Sequence, residues 1–135
     1  MDLTPKGRPG DVATPADERM PGRQDDPPST VESVGYVFEA PAGAVLRAVT
    51  RLAGAATVTG VLAFRVGGTG ATVNARADDD TLLPVDLSVA SASTWMSGPS
   101  LQNADVAAGT SLQVEVTGVT GTVTYVVVQI DYRVT

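Results

Sequence analysis

Cysteine and histidine are both absent from this 135-residue sequence, and most of the familiar chemistry of protein sites goes with them. There can be no disulfide framework, no zinc held by thiolate or imidazole, and neither a Ser-His-Asp nor a Cys-His nucleophile. Lysine occurs once, as Lys6, and the net charge is −6. The chain therefore lacks the clustered cations that phosphate binding draws on, and nucleic acid is not an expected partner. Aromatic residues are 4% of the sequence, which makes a large aromatic ligand platform a poor expectation. No apolar window approaches the length of a bilayer, and no basic stretch leads into an apolar one near the start. Neither a membrane span nor a signal peptide is expected, and a soluble, non-secreted chain is the reading.

What is present falls into two unlike parts. Residues 1–33 hold six of the nine prolines, eleven of the twenty-four charged residues and few large apolar side chains. Such a segment buries too little surface to offset its own ordering entropy. Pro5, Pro9, Pro15, Pro21, Pro27 and Pro28 each fix φ and push the preceding residue toward extended geometry. A stretched, polyproline-like arm results, with a reach on the order of 100 Å. The plain account is a solvated tail. The functional account, which we favour, is an arm that orders on a partner surface, so its six prolines are candidate partner-binding residues.

From Val34 to Thr135 apolar and polar residues alternate between Gly, Pro, Asn and Asp, the pattern of short strands joined by turns. A first strand is expected over Val34–Glu39, with Val34, Tyr36 and Phe38 on one face. Residues 44–52 fit a helix or a strand; a strand is preferred, with Leu46, Ala48, Thr50 and Leu52 on one face. Residues 57–66 place Leu62, Phe64 and Val66 together, and Gly60 marks a bulge or a close backbone approach. Gly67–Gly70 and Gly118–Gly121 read as hairpin turns. Leu83, Val85, Leu87 and Val89 suggest an edge strand, because Pro84 removes a ladder donor. The closing strand, apolar from Tyr125 to Ile130, should be central in a sheet or buried in a subunit contact. About eight strands and no helix make this an all-β chain, a single antiparallel β-sandwich or jelly-roll-like domain behind an extended arm.

Few residues offer chemistry. Asp78-Asp79-Asp80 is the one dense acidic cluster; a calcium site is conceivable, but the EF-hand glycine and distal Glu are missing, and a solvated turn is the simpler reading. Glu39, Asp86, Glu115 and Asp131 sit on different strands, so a catalytic carboxylate pair is not expected. Gly67-Gly68-Thr69-Gly70 lacks the Lys-Ser/Thr of a phosphate loop. Arg47, Arg51 and Arg65 read as ordinary solvated cations, or as partners for acidic groups of a neighbouring chain. Trp95, in a Ser- and Gly-rich stretch, reads first as a core aromatic and second as an exposed anchor for a partner or a sugar. We therefore expect no catalytic, cofactor or metal residues, and hold Trp95 as a candidate partner-binding residue.

Phe38 to Leu46 (FEAPAGAVL), Thr57 to Gly60 (TVTG), Phe64 to Gly70 (FRVGGTG), Ala107 to Val114 (AAGTSLQV) and Val126 to Tyr132 share one cadence of apolar strand, Ala-Gly turn and apolar strand. In this the segment from residue 34 onward resembles small β-sandwich virion proteins of tailed bacteriophages. The resemblance implies a non-enzymatic virion protein on the capsid exterior: a capsid decoration (cement) protein, a head spike or fibre component, or a tail-fibre tip domain. Its partners would be the major capsid protein or other virion subunits, and copies of itself.

Overall fold

A computed structural model describes residues 30–135. Pro5, Pro9, Pro15, Pro21, Pro27 and Pro28, with the docking role expected of them, lie outside the described residues. Within the described residues the strands are β1 (Val31–Glu39), β2 (Val45–Arg51), β3 (Ala56–Gly67), β4 (Gly70–Ala77), β5 (Asp80–Thr81), β6 (Leu87–Ser88), β7 (Met96–Ser97), β8 (Asp105–Val106), β9 (Ser111–Thr120) and β10 (Val123–Val134). They form two antiparallel sheets. Sheet I runs β1-β10-β3-β7, with β8 also on β3; sheet II runs β2-β9-β4-β5, with β6 also on β4.

This order makes the sandwich a jelly roll. The first four strands alternate between sheets, and then β9 inserts between β2 and β4 while β10 inserts between β1 and β3, the doubled Greek-key winding of that fold. Two expectations are corrected by it. Gly67–Gly70 and Gly118–Gly121 do not close hairpins, because β3 and β4 belong to different sheets, as do β9 and β10. Both turns are corners that carry the chain across the sandwich, and they nest against each other: Thr69 N–H donates to Thr120 O at 2.9 Å. Gly67, Gly68 and Gly121 have φ of +80°, +70° and +78°, and a Cβ on Gly68 would lie 2.9 Å from Thr120 O. Glycine is required there both by conformation and by the close approach.

The core is filled by small and β-branched side chains. Val58, Val61, Ala63, Val126, Val128 and Ile130 of sheet I face Val73, Ala75, Leu112, Val114 and Val116 of sheet II, all nearly or fully buried. Phe38 is the one aromatic ring buried among the described residues. The alternation that sets these faces is broken by bulges, each bending a strand toward the curve of the sandwich. One leaves Thr59 unpaired beside Gly60, where the bulge was expected. Another at Thr117 lets Val116 and Val119 both pack inward. A third at Val49 changes the face of β2: Val45 and Val49 pack on the core while Leu46 is exposed, against the expectation of an inward Leu46, Ala48, Thr50 and Leu52. Only Leu52 of that set is buried.

Three more differences follow from the topology. The first strand begins at Val31 rather than Val34. The expected strand over Leu83–Val89 is mostly a loop, with Val85 exposed and only Leu87–Ser88 paired, at the edge of sheet II. That loop is held instead by the buried Asn74, whose amide accepts from Leu83 N–H and donates to Leu83 O and to Asp86. Arg65 is not a solvated cation: it is buried within sheet I and donates to the carbonyls of Gly67, Gly68, Val89 and Ala90.

Candidate docking surface

The two outer faces of the sandwich differ in chemistry. On sheet II several outward polar side chains are paired, and Leu46, opposite Glu115 at the β2 edge, is the exposed apolar one. Arg76 pairs with Glu115 at 3.1 Å, Thr117 Oγ1 donates to Thr72 Oγ1, and Asn74 is spent on the Leu83–Asp86 loop. Little is left there to recruit a partner.

Sheet I is different. Strand register sets Val37 beside Val127 and Val127 beside Phe64, and the Phe64 ring meets that of Trp95 at 5.2 Å between centroids. A row of four apolar side chains therefore crosses the sheet from β1 to the segment before β7. Leu62, Val66 and Tyr125 flank it on the same face, all half-buried. Val37 and Trp95 at its two ends are 47% and 49% exposed. This is the face on which Leu62, Phe64 and Val66 were expected together, but it looks out of the sandwich, and Val61, Ala63 and Arg65 face in. Trp95 is thus no core aromatic; the reading as an exposed anchor is the one its position fits. Below the row the face turns polar: Asp131 accepts from Ser33 Oγ at 2.7 Å and from Gln129 Nε2 at 2.9 Å. An apolar centre with a polar border is the anatomy of a protein contact.

A second feature lies where the sheets part. β1 and β2 are the edge strands of their sheets on the same side of the sandwich, and between them runs an open groove of about 500 Å³ lined by Tyr36, Phe38, Pro41, Ala44, Val45 and Arg47. Tyr36 and Phe38 pack edge to face at 4.9 Å. The Arg47 guanidinium lies 5.9 Å above the Tyr36 ring, a cation–π placement, and among the described residues its hydrogen bond is to its own neighbour, Leu46 O. No sequence pattern points to this groove, because β1 and β2 meet only through the winding of the chain.

The acidic candidates have structural work. Asp78 is the turn residue between β4 and β5, with φ of 54°, and its carboxylate accepts from Ser111 N–H at 2.9 Å. Among the described residues no three acidic side chains come together as metal ligands. Glu115 and Asp131 point from the outer faces of different sheets, so they cannot face one another across a cleft.

Comparison with known proteins adds to this geometry. No family model matches the chain, and no curated protein matches it. Solved structures do. A chain of the acidic stable capsid structure of Helicobacter pylori bacteriophage KHP30 superposes with a TM-score of 0.53 at 14% identity, covering 78% of this chain and 89% of that one. A chain of the cyanophage Pam1 capsid asymmetric unit gives a TM-score of 0.50 at 21% identity, covering 84% and 94%. The likeness is one of fold.

Proposed function

We propose that this chain is a non-enzymatic structural protein of a phage virion, and that it decorates the capsid exterior. The observation that carries this reading is the apolar row Val37–Val127–Phe64–Trp95 on sheet I, while the opposite face has paired polar side chains and a lone exposed Leu46. An apolar row with a polar border is what a subunit that lies on a shell needs. The folds it resembles come from phage capsids, which supports the same setting. In this reading the outer face of sheet I rests on the major capsid protein. The Pro-rich segment before β1, residues 1–29, extends over neighbouring subunits, and copies at a symmetry position add their separate contacts into avidity.

Co-sedimentation with empty capsids of the same source tests it. The full chain should pellet with the shells, and a variant lacking residues 1–29, which leaves β1 whole, should bind more weakly. If neither form pellets, the decoration reading is wrong. A second reading, a head-spike or tail-fibre component that binds a receptor sugar, is favoured by the half-exposed Trp95 tilted against Phe64, since such a ring can take a sugar face. It predicts glycan binding that survives removal of the arm and is lost in Trp95→Ala.

A further inference from the structure

β1 has a free edge that is specified residue by residue. Among the described residues it pairs only with β10. Ala40 N–H donates to Thr124 O at 2.8 Å, which fixes Ala40 and Thr124 as a hydrogen-bonded pair of that antiparallel ladder. Such pairs alternate with open ones, so Phe38, Tyr36, Val34 and Glu32 also turn their backbone groups toward β10. The N–H and C=O of Val31, Ser33, Gly35, Val37 and Glu39 then point the other way, out of the sheet edge. Natural edges are commonly guarded by Pro or Lys, and β1 carries neither.

The side chains beside this edge add chemistry to it. On the outer side Val37 brings the apolar row to the edge, half-exposed. On the inner side lies the groove with Tyr36, Val45 and Arg47. No carboxylate is paired with Arg47 among the described residues; the ion pair present there is Arg76 with Glu115. Glu32 stands at one end of β1 and Glu39, which also lines the groove, at the other, and both repel acidic groups there, while Arg47, over Tyr36, attracts one at the middle.

We propose that this edge takes an extended strand from a partner polypeptide, with an acidic side chain set inward against Arg47 and apolar side chains set outward beside Val37. Main-chain hydrogen bonds to the five outward-facing residues give the affinity, and the alternation of acidic-in and apolar-out gives the selectivity. The inference rests on the docking role proposed above, with another virion subunit as the source of the strand.

Hydrogen exchange of the full chain, alone and bound to empty capsids, tests it. The amides of Val31, Ser33, Gly35, Val37 and Glu39 should be open in the free chain and slow by about tenfold or more on binding, while those of Val34, Tyr36 and Phe38 are slow throughout. Arg47→Glu, at an exposed position, should weaken binding about tenfold, and Arg47→Lys by less. Binding without protection of the odd-numbered amides overturns strand addition and leaves the docking role standing. No binding at all overturns both. Unchanged binding by Arg47→Glu overturns the acidic partner, and odd-numbered amides already slow in a self-associated free chain make the occupant a second copy, which overturns it too.

Discussion

Arg65 and Trp95 exchange the places that their chemistry suggests, and each has a local cause. Arg65 lies on the inner side of β3, opposite Val126, at the height of the corner that carries the chain to sheet II. The carbonyls of Gly67, Gly68, Val89 and Ala90 converge there, and a planar guanidinium with five donors reaches all four. Arg65→Met keeps the volume of the stem but leaves these acceptors unsatisfied, and should lower unfolding free energy by about 3 kcal/mol. Urea denaturation should show this as a lower midpoint at unchanged slope. Arg65→Lys should recover only part, since an ammonium cannot span the fork. Trp95 is displaced outward because the inner space over β3 is already taken by Arg65 and small residues. The aspartates at residues 78–80 serve the turn after β4 and the start of β9, so millimolar calcium or a chelator should leave the melting temperature within about 1 °C; a rise with calcium comparable to saturating ligand would show a bound cation.

Alternation along single strands is legible in the sequence, and what strands do to one another is not. The apolar-polar rhythm of β3, β9 and β10 identifies them as strands, and the unbroken apolar middle of β10 places it between two neighbours, as found. Whether Leu62, Phe64 and Val66 face inward cannot be read from the rhythm, because both faces of β3 are apolar. The glycine corners look like hairpins since a hairpin and a sheet-crossing corner need the same positive φ. Bulges at Val49 and Thr117 insert one residue and reverse the faces beyond them, which defeats any strict two-residue count. Gly35 shows how the register depends on one atom. A Cβ there would lie 2.7 Å from Val128 O and 3.3 Å from Gln129 Cα, both on backbone that cannot swing away. Gly35→Ala should therefore force β1 from β10 and destabilise the protein by about 1–3 kcal/mol. Faster amide exchange in Val34 and Tyr36 than in β9 would locate the damage, and equal rates throughout would argue against it.

For the described sandwich taken whole, the difference between its two outer faces bears on function. Stability needs neither face to be apolar, because the core lies between the sheets and both outer faces already meet water. The apolar row on sheet I therefore contributes little to folding, while removing it from water at a shell contact is favourable by roughly 25 cal/mol for each Å² buried. Paired substitutions separate the two roles. Val127→Asp puts a charge in the middle of the row, between Val37 and Phe64. It should reduce capsid binding by about a hundredfold with a loss of stability of about 1 kcal/mol or less. Gln113→Asp places the same charge on sheet II beside Arg76, and should leave both binding and stability nearly unchanged. Salt gives the independent check: an apolar contact weakens little between 0.05 and 1 M sodium chloride, roughly a fourfold contraction of the screening length, whereas the part of binding that depends on Arg47 should be lost across that range. Equal losses for the two aspartate variants would move the contact away from sheet I. Binding that collapses entirely with salt would make charge, rather than the apolar row, the force that holds the chain to its partner.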